Sequence, residues 1–199
     1  LSGNFYNQSF LLKLNPSLER QWTRQPDGNI GNSITIDKTN RIYLLSKNNI
    51  NKFNNDGETF WTQSVIAPYN VRNEVFTDIA PSKGNDGNIH ISLNTEINSC
   101  CGGANVNSIN LPNSYNRYIK DSFLVKFDEG GQRKWTEVIG ISGSETIINS
   151  ITTELNDDIF VTGYTSGNLE GISNSGSYDL FIKKFNTSGV KQWTKLLGS

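Results

Sequence analysis

The sequence predicts an all-β protein built from repeated four-stranded antiparallel units, and three observations predict it. A segment of the form K-[LF]-[ND]-x6-W-T occurs four times, at residues 13–23, 52–62, 126–136 and 184–194. Its Lys and Trp stand nine residues apart in every copy, and the four copies use all four tryptophans of the chain. A second segment, Asn-Ser-Ile-Thr, begins at Asn32 and again at Asn149, with Ile42 and Ile159 at one common later offset. The composition completes the picture: Asn, Ser, Thr and Gly are abundant, Ala is scarce and Met is absent. Long amphipathic helices favour other residues, whereas short strands joined by polar turns suit these.

Taken in order, residues 9–14 and 18–24 read as two strands around the turn Asn15-Pro16-Ser17. Residues 33–37 and 41–46 form a second hairpin, and 49–53 with 58–64 a third. The unit is therefore two hairpins, four strands in all, here named a, b, c and d. In the next unit a lies near 75–80, b at 88–94, c at 121–127 and d at 132–139. In the last, a spans 147–153, b 158–162, c 178–185 and d 190–197. The first hairpin supplies only c and d. Gly57, Gly131 and Gly189 hold one fixed place in the c–d turn, where a positive φ is expected. The first copy has Leu18 there, with Pro16 two residues earlier, so its turn is expected to differ.

Four short strands recurring at intervals of 39 to 74 residues, each set with one Trp, are the pattern of β-propeller blades. The expected layout is about three and a half blades in one domain: a half-blade at 1–25 and blades at 32–64, 73–139 and 147–197. An insertion at 95–120 interrupts the second full blade, and 166–177 forms a shorter one. Ser2-Gly3-Asn4 matches Ser166-Gly167-Asn168, which places it just after strand b, and Gly198-Ser199 matches the start of the Gly140 loop. The expectation is a fragment of a longer propeller, or a chain that completes itself by pairing, because open blades expose strand edges.

The run Asp121-Ser122-Phe123-Leu124-Val125-Lys126-Phe127-Asp128, followed by Trp135-Thr136, Gly140 and Ser142-Gly143-Ser144, then Ile159-Phe160-Val161-Thr162-Gly163-Tyr164-Thr165, resembles the bacterial seven-bladed β-propeller repeat, or SBBP, family. Tyr178-Asp179-Leu180-Phe181-Ile182-Lys183-Lys184-Phe185 fits the same pattern, while the first two units keep Trp and Lys but lose the Gly-Tyr-Thr ending. The resemblance implies a propeller in an exported, surface or periplasmic bacterial protein. It implies no catalytic residue.

Composition excludes several classes. The net charge is −1 with both signs interspersed, which offers no basic stripe for nucleic acid. No apolar run approaches the roughly 18 residues of a membrane helix. His90 is the sole histidine, so multi-histidine metal sites are out of reach and a Ser-His nucleophile has one poorly placed candidate. Asn55-Asp56-Gly57, Asn85-Asp86-Gly87 and Asn156-Asp157-Asp158 lack the spacing of a calcium loop and read as hairpin turns. No cofactor and no metal is expected.

The repeated residues are assigned to structure: Trp22, Trp61, Trp135 and Trp193 to packing between blades, and Lys13, Lys52, Lys126 and Lys184 to solvated or stem-packed positions on strand c. The 95–120 insertion is the candidate partner-binding loop, with Cys100, Cys101, Tyr115 and Tyr118 in it. The adjacent cysteines have neither zinc nor redox spacing and read as loop thiols, with a vicinal or interchain disulfide as the alternative. Asn7-Gln8-Ser9 and Asn186-Thr187-Ser188 are glycosylation sequons. The expected role is a non-enzymatic scaffold for a protein or glycan partner. The alternatives are a structural subunit joined through open blade edges, and a glycan hydrolase or lyase using a carboxylate pair such as Asp37 and Glu154.

Overall fold

Alternating apolar residues between turn-forming Asn, Asp and Gly leave the chain little choice but short strands, and a computed structural model contains strands and no helix among its described residues. Those residues are 2–5, 8–26, 31–46, 49–64, 71–84, 86–97, 105–106, 109–110, 119–141 and 143–198. The first sheet comprises β1 (Ser2–Phe5), β2 (Gln8–Leu14) and β3 (Arg20–Arg24). The second comprises β4 (Gly31–Ile36), β5 (Ile42–Ser46), β6 (Asn49–Phe53) and β7 (Thr59–Ser64). The third begins with β8 (Val71–Pro81) and β9 (Ile89–Ile97); a two-stranded ribbon, β10 (Asn105–Val106) and β11 (Ile109–Asn110), follows. The third sheet then resumes with β12 (Ile119–Phe127) and β13 (Arg133–Val138). The fourth is β14 (Thr146–Thr153), β15 (Ile159–Thr165), β16 (Asp179–Phe185) and β17 (Lys191–Leu197). Each complete sheet is an antiparallel meander in chain order, as a propeller blade requires.

The register corrects the reading of the N-terminus. Ser2 to Phe5 pair with Leu11 to Gln8, so this segment is the end of strand b, not the loop after it. Two residues separate β1 from β2, where the fourth sheet spends residues 166–178 on the same crossing. Similarly, β9 and β12 continue to pair out to Ile97 and Ile119, which draws both ends of the supposed 95–120 loop into the sheet.

The c–d turns are alike in all four copies, which corrects the expectation for the first. In each, the residue after strand c exchanges backbone hydrogen bonds across a three-residue loop: Asn15 with Leu18 and Glu19, Asn54 with Gly57 and Glu58, Asp128 with Gly131 and Gln132, Asn186 with Gly189 and Val190. Leu18 holds φ +63°, in line with Gly57, Gly131 and Gly189 at +76°, +81° and +81°. The Asn15 side chain accepts the Glu19 N–H at 2.9 Å, and its counterparts do the same, so the Asx bond imposes the turn even without glycine.

Apolar side chains fill the space between successive sheets. Leu11, Ile42, Leu44 and Phe53 pack between the first and second. Tyr43, Leu45, Ile50, Phe76, Phe123 and others pack between the second and third, and Leu124, Ile148, Val161, Phe181 and others between the third and fourth. The a strands lie side by side, with β8 against both β4 and β14. There the Asp78 carboxylate accepts Ser33 Oγ at 2.9 Å from one neighbour, and Ser150 Oγ at 2.7 Å and the Ile151 N–H at 3.0 Å from the other.

Candidate functional site

The nine-residue spacing has a direct geometric meaning. A three-residue turn followed by a one-residue bulge in strand d places Lys13 opposite Trp22, Lys52 opposite Trp61, Lys126 opposite Trp135 and Lys184 opposite Trp193. Each pair therefore shares one face of its sheet, and three of the four converge on a single oxygen of the next sheet. Lys52 Nζ and Trp61 Nε1 both donate to the Glu129 carbonyl, each at 2.9 Å. Lys13 and Trp22 donate to the Asn55 carbonyl at 3.0 and 3.2 Å. Lys126 and Trp135 donate to the Thr187 carbonyl at 3.1 and 3.3 Å. Asn55, Glu129 and Thr187 are the second residues of their c–d turns, and the receiving turn also presents its glycine to the indole. A Cβ on Gly57, Gly131 or Gly189 would stand 3.0–3.3 Å from the nearest atom offered by the preceding sheet, in each case with a Trp ring among the closest neighbours.

Two of the four lysines are buried, while Lys13 and Lys184 are half-buried. Lys52 is 1% exposed and Lys126 is 8% exposed. Burial pulls the Lys52 ammonium below its usual value, opposed by the nearby Glu129 carboxylate. A cation placed among Trp61, Tyr43 and Phe60, at 5.4–6.0 Å from their ring centres, gains attraction from the ring faces as well as from the carbonyl.

An aromatic residue on strand b completes three of the four pairs, and the repeat motifs alone do not reveal it. Tyr43 lies opposite Lys52, His90 opposite Lys126 and Phe160 opposite Lys184. Tyr43 meets Trp61 edge-on at 6.3 Å, Phe160 meets Trp193 at 6.0 Å, and His90 lies tilted 5.8 Å from Trp135. The signal lay in a common offset after each a–b turn, hidden because Tyr, His and Phe differ in character. His90 is fully buried, and its ring makes only a weak hydrogen bond with the Ala80 backbone. Burial, reinforced by the Lys126 charge, brings its pKa down to about 3.

The fourth pair differs: among the described residues no neighbouring sheet receives it. Lys184 turns to its own sheet, contacting Asp158 at 2.7 Å and Glu154 at 3.1 Å. Trp193 is 36% exposed, with Leu180 and Leu197 exposed on the same face.

The carboxylates considered for glycan chemistry are occupied by their own hairpins. Asp37 accepts the N–H groups of Thr39 and Arg41 and the hydroxyls of Thr39 and Tyr43. Burial alone would raise its pKa, but these bonds outweigh it and hold it below the usual value. Glu154 pairs with Lys184. Glu170, in the 166–177 loop, is held by three side chains: burial raises its pKa, yet bonds from Lys191, Thr194 and Lys183 bring it down to about 2. It clamps that loop to β16 and β17. No group of three His, Cys, Asp or Glu side chains gathers among the described residues. Cys100, Cys101, Tyr115 and Tyr118 lie outside the described residues, as does Asn7 of the first sequon; the Asn186 sequon forms the last c–d turn.

Comparison with known proteins agrees with this architecture. Residues 134–170, from strand d of the third sheet to the loop of the fourth, match the family model described as Beta-propeller repeat. An uncharacterized WD repeat-containing protein of Acanthamoeba polyphaga mimivirus is 27% identical over 140 residues, which cover 57% of this chain and 10% of that protein. The chain therefore spans about a tenth of that relative's length. Among solved structures, an ulvan lyase of a polysaccharide lyase family superposes with a TM-score of 0.53 at 14% identity, covering 92% of this chain and 48% of the lyase. That likeness extends to the fold.

Proposed function

We infer that the chain is a non-enzymatic β-propeller module that serves as an interaction scaffold for a protein or glycan partner. One observation carries this reading: the residues the sequence repeats, Lys, Trp and the turn glycine, are consumed in joints between sheets, three of the four pairs spending their donors on a backbone carbonyl of the neighbour. Function then falls to what differs between copies, above all the 98–118 connection between β9 and β12. Catalysis on a glycan is less well supported, since Asp37 and Glu154 serve their own hairpins. The test compares the chain with a version in which residues 98–118 are replaced by two glycines, on printed arrays of glycans and of extracellular proteins. Binding that disappears with the loop while the β circular dichroism persists supports the reading. Binding retained by the shortened chain overturns it.

A second reading is a structural subunit that joins another blade through the open face of the fourth sheet. Exposed Leu180, Trp193 and Leu197 on that face favour it. The first c–d turn carries Leu18 where every receiving turn has glycine, so two copies meeting head to tail would force a Cβ against Trp193. The partner in this reading is accordingly a blade with glycine in its turn. Sedimentation velocity with Leu18→Gly tests it: the chain with glycine in its first turn should associate, Leu197→Glu should abolish that association, and a Leu18→Gly chain that stays monomeric would refute it.

A further inference from the structure

We propose that the outer edge of the second sheet, β7, takes an extended segment of another protein as a fifth, antiparallel strand, one with a basic residue at its C-terminal end. The four d strands fill one place in the repeat, so each serves as a control for the others. Outward strand edges are ordinarily blunted by charge, lysine above all. The residue opposite the last residue of strand c is Arg20 in β3, Arg133 in β13 and Lys191 in β17, but Thr59 in β7. The residue after Trp-Thr is Arg24, Glu137 or Lys195 in those strands, but Gln63 in β7. At the bulge the others have Gln21, Lys134 and Gln192, whereas β7 carries Phe60. That ring is 55% exposed, with the Arg41 guanidinium 5.2 Å from its centre. β7 therefore contains no charged residue, and it ends the order β4-β5-β6-β7, paired on one side alone. Among the described residues, the one side chain that reaches its backbone is its own Gln63, at the Ser64 carbonyl at 3.0 Å. The second sheet packs against a neighbour on both faces, so what is open is its rim. The charge of the partner follows from Asp56 and Glu58, which are exposed just before β7 and form no ion pair among the described residues. A strand running antiparallel to β7, as every pairing in this sheet does, ends beside Glu58, where a Lys or Arg meets that carboxylate. Strand addition takes its affinity from the backbone and its specificity from such side-chain contacts.

This edge is separate from the 98–118 connection, and its test does not depend on that reading. The probe is acetyl-Thr-Val-Thr-Val-Tyr-Lys-amide, titrated into the ¹⁵N-labelled full chain. The readout is the backbone amide resonances of residues 58–64, with those of β13, residues 133–138, as the control edge. Saturable shifts confined to the first set are expected. Two further peptides carry N-methyl groups, one at its second and fourth residues, the other at its third and fifth. Alternate N–H groups of an added strand point at its partner, so one of the two should bind and the other should not. Thr59→Arg, which installs the residue of β3 and β13 at an exposed position, should weaken binding at least about fivefold. Replacing the peptide's lysine with glutamate should weaken it by about two- to fivefold. Equal binding of the two methylated peptides, equal shifts at β13, indifference to Thr59→Arg, a preference for the glutamate peptide, or no shift at all would each overturn the proposal. So would dimerisation of the chain alone that Thr59→Arg abolishes, since the edge would then belong to a second copy.

Discussion

Gly131 lies against the indole of Trp61 so closely that a Cβ added to it would stand 3.3 Å from the ring. The same glycine holds φ +81°, a conformation that side chains resist. Two independent costs therefore meet at one position. Gly131→Ala is expected to lower stability by about 2 kcal/mol or more, summing a left-handed penalty of about 1 to 2 kcal/mol with displacement of the ring. Urea unfolding followed by far-ultraviolet circular dichroism gives the value.

Leu18 supplies the converse experiment. It bears the left-handed strain without any ring above it, and it is 77% exposed. Leu18→Gly should stabilise the chain by about 0.5 to 1 kcal/mol, the relief being partly offset by the greater freedom of glycine when unfolded. A lower midpoint in urea would show that the turn tolerates leucine without strain.

Lys52 and Lys184 occupy equivalent places in their repeats but differ in duty. Lys52→Ala leaves the Glu129 carbonyl with the indole alone and opens space in a packed joint, which should cost about 2 to 4 kcal/mol. Lys184→Ala removes contacts on an open face and should leave the thermal midpoint close to that of the parent. Differential scanning calorimetry of the two variants separates them; equal losses would argue that the joint is not the source of the lysine's contribution.

His90 makes stability depend on acidity. Its folded pKa, about 3, lies below the ordinary value near 6.5, so the fold keeps the ring neutral while the unfolded chain takes up a proton. The stability it permits is fully present above pH 6.5 and is lost as pH falls toward 3, at about 1.4 kcal/mol per pH unit. His90→Phe, which copies Phe160 at the equivalent position, should flatten that slope between pH 6.5 and 4. An unchanged slope in urea titrations across this range would place the acid sensitivity elsewhere.

Much of the architecture was legible because turn chemistry is local. The strands expected at 49–53 and 121–127 match β6 and the end of β12, and the glycines mark the turns where φ is positive. What escaped was the part carried by tertiary register. Leu18 in a glycine turn, Ser2 inside a strand, and the burial of Lys52 follow from pairing and from the neighbouring sheet, which no residue type announces. The aromatic triplet of Tyr43, His90 and Phe160 was invisible to motif matching because three side chains of different polarity do the same packing work.

Repeat proteins are commonly described by separate energies, one for each unit and one for each boundary. Asp78 breaks that separation, since one carboxylate receives Ser33 from the sheet before and Ser150 from the sheet after. Losing either hydroxyl leaves the acid to readjust toward the other, so the two boundaries share a single term. Thermodynamically the middle blade cannot loosen its grip on one side without renegotiating the other, and the inner strands of three blades are expected to exchange their amide hydrogens as one cooperative unit.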